Sequence, residues 1–463
     1  MDIKDFKLRN ASFQGRIGVA QVDITPPMGI YSRNWGAARH DVAEGVHQPL
    51  MLTCITFQPD AESTPLVLIG ADLGWWKSAE DEWILRSQLL KALDLPASHL
   101  MFCLSHTHAG PVISRDDAAH PGGELIAGYL QELADHAIEA IRQALANAAL
   151  ATLTWHYGKC NLATNRDLPQ PERQRLVVGF NPEETADDTL LVGRVTDRQG
   201  RILGTLVNYA CHPTTLAWEN RLISPDYIGA MRDVVEVQTG ASCLFLQGAS
   251  GELAPAAQYV GDTALAETYG RQLGYAVLAT LEGMLPAKTQ LSFSGVVESG
   301  APLAMWTPSA YVPSAVLAAE KVEVHLSLKP LPPLSVIEQE WRECEDHVLK
   351  ERLRRKCGIR KALGDGQEAR IGLWVWRLGD ALLIGQPNET YSVFQRDLRR
   401  EFPEQAVGVM NVVNGHIGYL PPAALYSQDI YSVWQTPFAA GSLELLTQKT
   451  MAVVKEMMTK THA

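Results

Sequence analysis

Four stretches carry residue types that do chemistry, and each follows an apolar run. Ser105-His106-Thr107-His108-Ala109-Gly110-Pro111 comes directly after Leu100–Leu104. In extended backbone, His106 and His108 point their imidazoles to the same side. One can then ligate a metal while the other faces a substrate, although two core histidines have the same appearance. Asn208-Tyr209-Ala210-Cys211-His212-Pro213 adds a third histidine. Cys211 and His212 are strand neighbours and point to opposite faces, so they are poorly placed as a thiol–imidazole pair. Gln247-Gly248-Ala249-Ser250-Gly251-Glu252 lets backbone approach a ligand closely. Glu252 stands where a G-x-S-x-G elbow needs glycine, which argues against a Ser250 nucleophile. The fourth lies late in the chain: Gly385–Thr390, with Glu389, is followed by Asn414–Pro421, with Tyr419. A carboxylate is a common third ligand beside two histidines. Separately, Arg33, Trp35 and His47 lie in a polar loop that suits a carboxylate or a sugar ring, or is simply pinned by its own hydrogen bonds.

The elements around these stretches alternate between buried strands and helices. Leu66–Leu73, Leu100–Leu104 and Cys243–Leu246 are short apolar runs of the kind expected in fully buried strands. Leu190–Val195 and Ile202–Tyr209 read as strands joined by a turn at Asp197–Arg201. Helical periodicity covers about 124–146 and 263–282. Ala369–Leu378 and Ala381–Gly385 form a hairpin across a Gly-Asp turn. Pro302–Pro333 reads as a surface excursion, and Glu338–Leu363 as one charged, solvated helix with an apolar stripe. The fold class expected is α/β, with mixed, largely parallel sheets and flanking helices. Ligands of such sheets gather at the carboxyl ends of strands, where all four stretches fall.

The chain has 463 residues, enough for one large unit or two to three smaller ones; no linker is visible, so a single interleaved unit is expected. With 46% apolar and 20% charged residues it can bury a sizeable core, which excludes a disordered chain. The net charge of −12 and the lack of a dense basic cluster argue against a nucleic-acid partner. No apolar leader and no long apolar run are present, so a cytoplasmic protein without a membrane partner is expected. Seven scattered cysteines without a CxxC pair read as reduced thiols.

Taken in order, these blocks resemble the neutral/alkaline non-lysosomal ceramidase family, over roughly residues 14–445. Gly15–Pro27 (GRIGVAQVDITPP) is similar to its first strand, and SHTHAGP to its THTHSGP. The His212 block, Ser224-Pro225-Asp226-Tyr227, the Gly248 loop and the Glu389 and Tyr419 blocks follow in family order. The resemblance implies the family's catalytic fold and a zinc ion held by His106, His212, Glu389 and Tyr419. It also implies a catalytic role for His108 and, through Thr164-Asn165-Arg166-Asp167 and the position twelve after Tyr419, for Arg166 and Tyr431. Two departures stand out. Ala254 stands where the family has an essential serine, and the family's C-terminal immunoglobulin-like domain is not expected.

The expected function is therefore zinc-dependent hydrolysis of an amide or ester in a small polar or sugar-derived molecule. Arg33, Trp35, His47 and Asp226 are the candidate substrate contacts. A metal-dependent lyase or glycan-processing enzyme, and a non-catalytic binding protein, are the alternatives. The partners expected are the small substrate and a second copy of the chain.

Overall fold

The computed structural model describes residues 6–460. Its centre is an eight-stranded sheet. In spatial order the strands are Cys243–Gln247, Ile202–Tyr209, Thr189–Thr196, Ala149–Lys159, Ala11–Asp23, Met51–Gln58, Leu66–Ala71 and Leu100–Leu104. A four-stranded sheet, Leu317–Ser327, Glu368–Leu378, Ala381–Gly385 and Ala406–Met410, packs against it. The chain is thus a mixed α/β fold.

Helices follow from caps and crossovers. They are α1 (Ala79–Ala92), α2 (Ile126–Asn147), α3 (Tyr227–Thr239), α4 (Thr263–Glu282), α5 (Leu334–Glu343), α6 (His347–Leu363), α7 (Val393–Glu401), α8 (Tyr431–Gln435) and α9 (Ser442–Lys460). Ser78, Asp262 and Asp346 accept first-turn N–H groups of α1, α4 and α6, satisfying donors that a helix start leaves free. Within these two sheets three strand pairs are parallel: 66–71 with 100–104, 202–209 with 243–247, and 381–385 with 406–410. Each is spanned by one helix, α1, α3 or α7, because a parallel pair needs a crossover. The remaining pairs in both sheets are antiparallel. The sheets are mixed as expected, but their parallel content is the minority.

The reason lies in burial. Along Leu100–Leu104, Met101 and Cys103 face the core between the sheets, while Leu100, Phe102 and Leu104 face α1 and α2. Leu244 and Leu246 likewise face the inter-sheet core, and Cys243 and Phe245 the core under α3 and α4. Strands buried on both faces read as continuous apolar runs whichever way they pair. Helices α7 and α9 cover the outer face of the smaller sheet, around Phe394, Leu398, Leu446 and Val454.

The larger sheet curls enough to bring its two edges together. Gly70 lies on the strand next to one edge, and a Cβ there would lie 2.7 Å from the carbonyl oxygen of Phe245 on the opposite edge strand. This close approach needs glycine, since any side chain would collide with backbone. It places the end of the strand carrying His106 beside the end of the strand carrying His212.

Two segments differ from their sequence-based description. Pro302–Pro333 is not an irregular excursion: it contains the strands Pro302–Ala310 and Leu317–Ser327. In the second, Val322, Val324 and Leu326 alternate with Glu323, His325 and Ser327, a one-faced strand pattern flanked by prolines. The charged segment is two helices rather than one, broken where Asp346 caps Val348 and Leu349. It is also not merely solvated, because α6 forms one wall of a large cleft. No helix among the described residues is long and apolar enough to cross a membrane.

Candidate metal centre

The cleft encloses about 1250 Å³ including its mouth, and His106, His108, Glu389, Tyr419 and Tyr431 lie on its lining. His106 departs from extended backbone, with φ at +70°. Strand alternation therefore does not set its direction, contrary to the sequence argument. Its N–H donates to Leu73 O at 2.9 Å, and its Nδ1 lies 3.1 Å from Gly74 O. This turn sets the rings of His106 and His108 5.1 Å apart and those of His106 and His212 5.0 Å apart. His212 presents Nδ1 to Ser250 O at 2.7 Å and Leu253 O at 3.2 Å. Glu389 and Tyr419 arrive on neighbouring strands of a short parallel ladder, in direct register.

A carbonyl oxygen can only accept, so Nδ1 carries the proton in both His106 and His212. In the neutral rings Nε2 is then a lone pair. Both lone pairs face the same oxygen: Glu389 Oε2 is 3.0 Å from His212 Nε2 and 3.3 Å from His106 Nε2. Acceptors that converge in this way need a proton or a cation between them. Burial, then the charge of Arg166, lowers the pKa of His212 to about 4, which disfavours the proton. His106 Nε2 and both ring nitrogens of His108 are buried without a hydrogen-bond partner. Ring nitrogens of His106, His108 and His212 all fall within 4.8 Å of one another, so the donor set fits a metal ion. Glu389 is itself held well below the ordinary carboxylate range; burial opposes this, but contact with His106, His212 and His416 outweighs it.

Arg166 sits at the edge of this cluster, anchored by Gly251 O at 2.8 Å. Its Nη2 also lies 3.0 Å from the Tyr419 hydroxyl and 3.3 Å from His212 Nε2. Burial, then the Glu389 charge, pushes the Tyr419 phenol well above its ordinary range. A tyrosinate there requires a neighbouring cation. Tyr431 packs edge-on to Tyr419 at 5.6 Å and accepts hydrogen bonds from Arg355 Nη1 and Gln435 Nε2.

The structure brings seven of the sequence candidates together: His106, His108, Arg166, His212, Glu389, Tyr419 and Tyr431. Trp35 joins them, with its indole 5.0 Å from the His108 ring. The other three substrate candidates lie elsewhere. Arg33 pairs with Asp41 at 3.4 Å. His47 bridges Ser224 at 3.0 Å and Glu267 at 3.2 Å. Asp226 is fully buried and accepts N–H bonds from Leu216 and Tyr227, which starts α3. Ala254 is also fully buried, in a ladder where the Thr164 hydroxyl donates to its carbonyl.

Sequence reasoning passed over His416 and Trp75. His416 Nε2 donates to Glu389 Oε1 at 2.8 Å, on the side away from His106 and His212. Its position inside the Asn414–Pro421 stretch was the available signal. Trp75 packs against His106, His108 and His416 with ring centroids 5.6, 4.7 and 6.3 Å away. Nothing in its apolar surroundings marks it in the sequence.

No protein-family model matches the chain. Over 250 residues, 52% of this chain, it is 24% identical to the neutral ceramidase of Pseudomonas aeruginosa, and the match spans 37% of that relative's length. A solved ceramidase complexed with C2 superposes with a TM-score of 0.65 at 16% identity, covering 95% of this chain and 74% of the other. The solved neutral ceramidase from Pseudomonas aeruginosa superposes with the same score at 17% identity, covering 95% and 73%. At such identities the structural likeness establishes the fold, and the sequence match agrees with it over half the chain. The chain is neutral ceramidase-like.

Proposed function

We propose that this chain is a zinc-dependent amide hydrolase in which His106, His212, Glu389 and Tyr419 hold the metal. The convergence of two imidazole lone pairs on one buried carboxylate oxygen supports this reading most strongly. An alternative set, His106 with His108 and His212, lacks the carboxylate that already touches two of the rings. Choosing Glu389 leaves His108 free for chemistry. Zinc in such a set supplies Lewis-acid polarisation of a carbonyl and activation of water.

The chain's own residues divide the remaining work. His108 is held well below its ordinary pKa by burial and by the neighbouring histidines, so the ring is neutral and one nitrogen keeps its lone pair. With both ring nitrogens unpartnered, it can accept a proton from the attacking water and return it to the leaving amine. Arg166 Nη2 places a fixed positive charge where the carbonyl oxygen gains negative charge. Tyr431 accepts from Arg355 and Gln435, so its own hydroxyl proton is directed at neither and can donate to the substrate. Trp35 and Trp75 flank His108 and exclude water from it.

The curated relative and the solved neighbours are ceramidases, so amide cleavage is the bond chemistry we assign. The cleft wall carries Lys77, Arg354, Arg355 and Asp117, which favours a substrate with a polar part. The test is hydrolysis of a short-chain ceramide and of N-acyl amino acids by the purified protein, with chelator and with zinc restored. Chelator-sensitive release of an amine, recovered with zinc, is expected. Amide cleavage untouched by chelator, or products with a new double bond instead of a free amine, would overturn the proposal.

A further inference from the structure

The charges lining the cleft pair off almost completely. Asp117 takes two hydrogen bonds from Arg354 Nη1, at 2.8 and 2.9 Å. Glu351 engages Arg354 and Arg355, at 2.8 and 3.0 Å. Asp116 faces Lys361 at 3.8 Å, and Glu338 faces Arg342 at 3.4 Å. Lys77 is left over. Its Nζ is buried and makes no hydrogen bond, although the side chain is partly exposed along the cleft. It stands 5.5 Å from the centre of the Trp75 ring, and Arg355 lies at the same distance from that ring. Trp75 in turn touches His106 and His108, so Lys77 stands one indole away from the candidate metal centre.

An unpaired buried ammonium is costly, and the cost disappears when an anion reaches it. We propose that Lys77 receives a carboxylate group of the substrate, with Trp75 stacking on the part that links this carboxylate to the scissile amide. The inference rests on the hydrolase reading and narrows its substrate class to amides that carry a carboxylate. Lys77 suits an anion that comes and goes, because it is a point charge on a flexible stem without a fixed partner. Without such an anion, burial and then the nearby Arg354 charge lower its pKa to about 7, against the opposing charges of Glu351 and Asp117, neither of which hydrogen-bonds to it.

The experiment compares phenylacetate with its neutral isostere phenylacetamide, by calorimetry at pH 6 on the zinc-loaded protein. Wild type is expected to bind phenylacetate at least about tenfold more tightly than Lys77→Met does. Phenylacetamide should bind the two proteins alike. Lys77→Arg should keep the preference for the anion. Methionine is close to lysine in shape and removes an uncompensated charge, so the variant should melt no lower than wild type. Zinc content, measured on both proteins, separates the two proposals. A wild type without zinc would defeat the hydrolase reading while the phenylacetate comparison still reports on Lys77. Equal phenylacetate affinity in wild type and Lys77→Met, or no binding by wild type, would overturn the carboxylate site.

Discussion

The two walls of the cleft are built differently. The wall holding His106, His212, Glu389 and Tyr419 consists of strand ends fixed by buried cores and backbone hydrogen bonds. Another wall is α6, whose charged residues there, Arg354, Arg355 and Lys361, are held by ion pairs. One side offers a rigid set of donors, as metal ligation and proton transfer demand. The other offers charge and reach, as selection among substrates demands. Substitutions on the first side should therefore change metal affinity and turnover. Those on the second should change substrate affinity and leave the metal in place.

The largest effect expected comes from the rigid wall. His212→Ala should lose zinc and lower kcat/KM by at least about a thousandfold, a few kcal/mol of lost stabilisation. Elemental analysis and steady-state kinetics would show it; zinc retained in this variant would break the comparison. His416→Ala should be milder, because it only releases the far oxygen of Glu389. A loss of about 10–100-fold in zinc affinity is expected, read by chelator competition. Unchanged affinity would mean that the Glu389 carboxylate is fixed by other contacts.

Between these walls and the fold stands Gly70. Gly70→Ala puts a methyl group 2.7 Å from Phe245 O, which should cost about 1–3 kcal/mol in a denaturant melt. If the sheet edges part, kcat should fall as well, since His106 follows one edge strand and His212 the strand next to the other edge. On α5, which also lines the cleft, Trp341→Ala should raise KM about threefold to tenfold with zinc content and kcat unchanged. A fall in kcat alone would place the chemistry closer to α5 than the geometry does.

The smallest effect concerns Glu252 beneath the centre. Burial is the main cause that raises its pKa from 4.5 to about 7, although Ser392 donates to it. The folded state thus binds a proton more tightly than the unfolded state. Its contribution to stability is full below pH 4.5 and is lost as the pH rises toward 7. Glu252→Gln should therefore melt higher than wild type at pH 8, by about 2 °C, and like wild type at pH 4. Identical melting at both values would show that Glu252 is relieved by a partner.

The legibility of the sequence followed the same division. The rigid wall was readable because its residues sit in short motifs after apolar runs: SHTHAGP after LMFCL, and NYACHP at the end of Ile202–Tyr209. The strands themselves were readable, but their direction was not. Burial on both faces gives the same apolar run in parallel and antiparallel pairs, and the inter-sheet core supplies the second face. The left-handed turn at His106 and the curl at Gly70 are long-range outcomes with no local pattern. The second wall was missed for a different reason. Arg354 and Arg355 look like any solvated pair until Asp117 and Tyr431, far away in sequence, are brought against them. Asp226 shows the reverse. It lies in a block that fits the ceramidase order, yet its carboxylate serves the start of α3.

The central claim is that the buried Glu389 carboxylate and two imidazole lone pairs converge on a metal ion. Elemental mass spectrometry of wild type and Glu389→Gln, purified without chelator, tests it most directly. About one zinc per wild-type chain and a marked loss in Glu389→Gln are expected. Wild-type protein that takes up no metal even on reconstitution, or a variant that keeps full zinc occupancy, would contradict it.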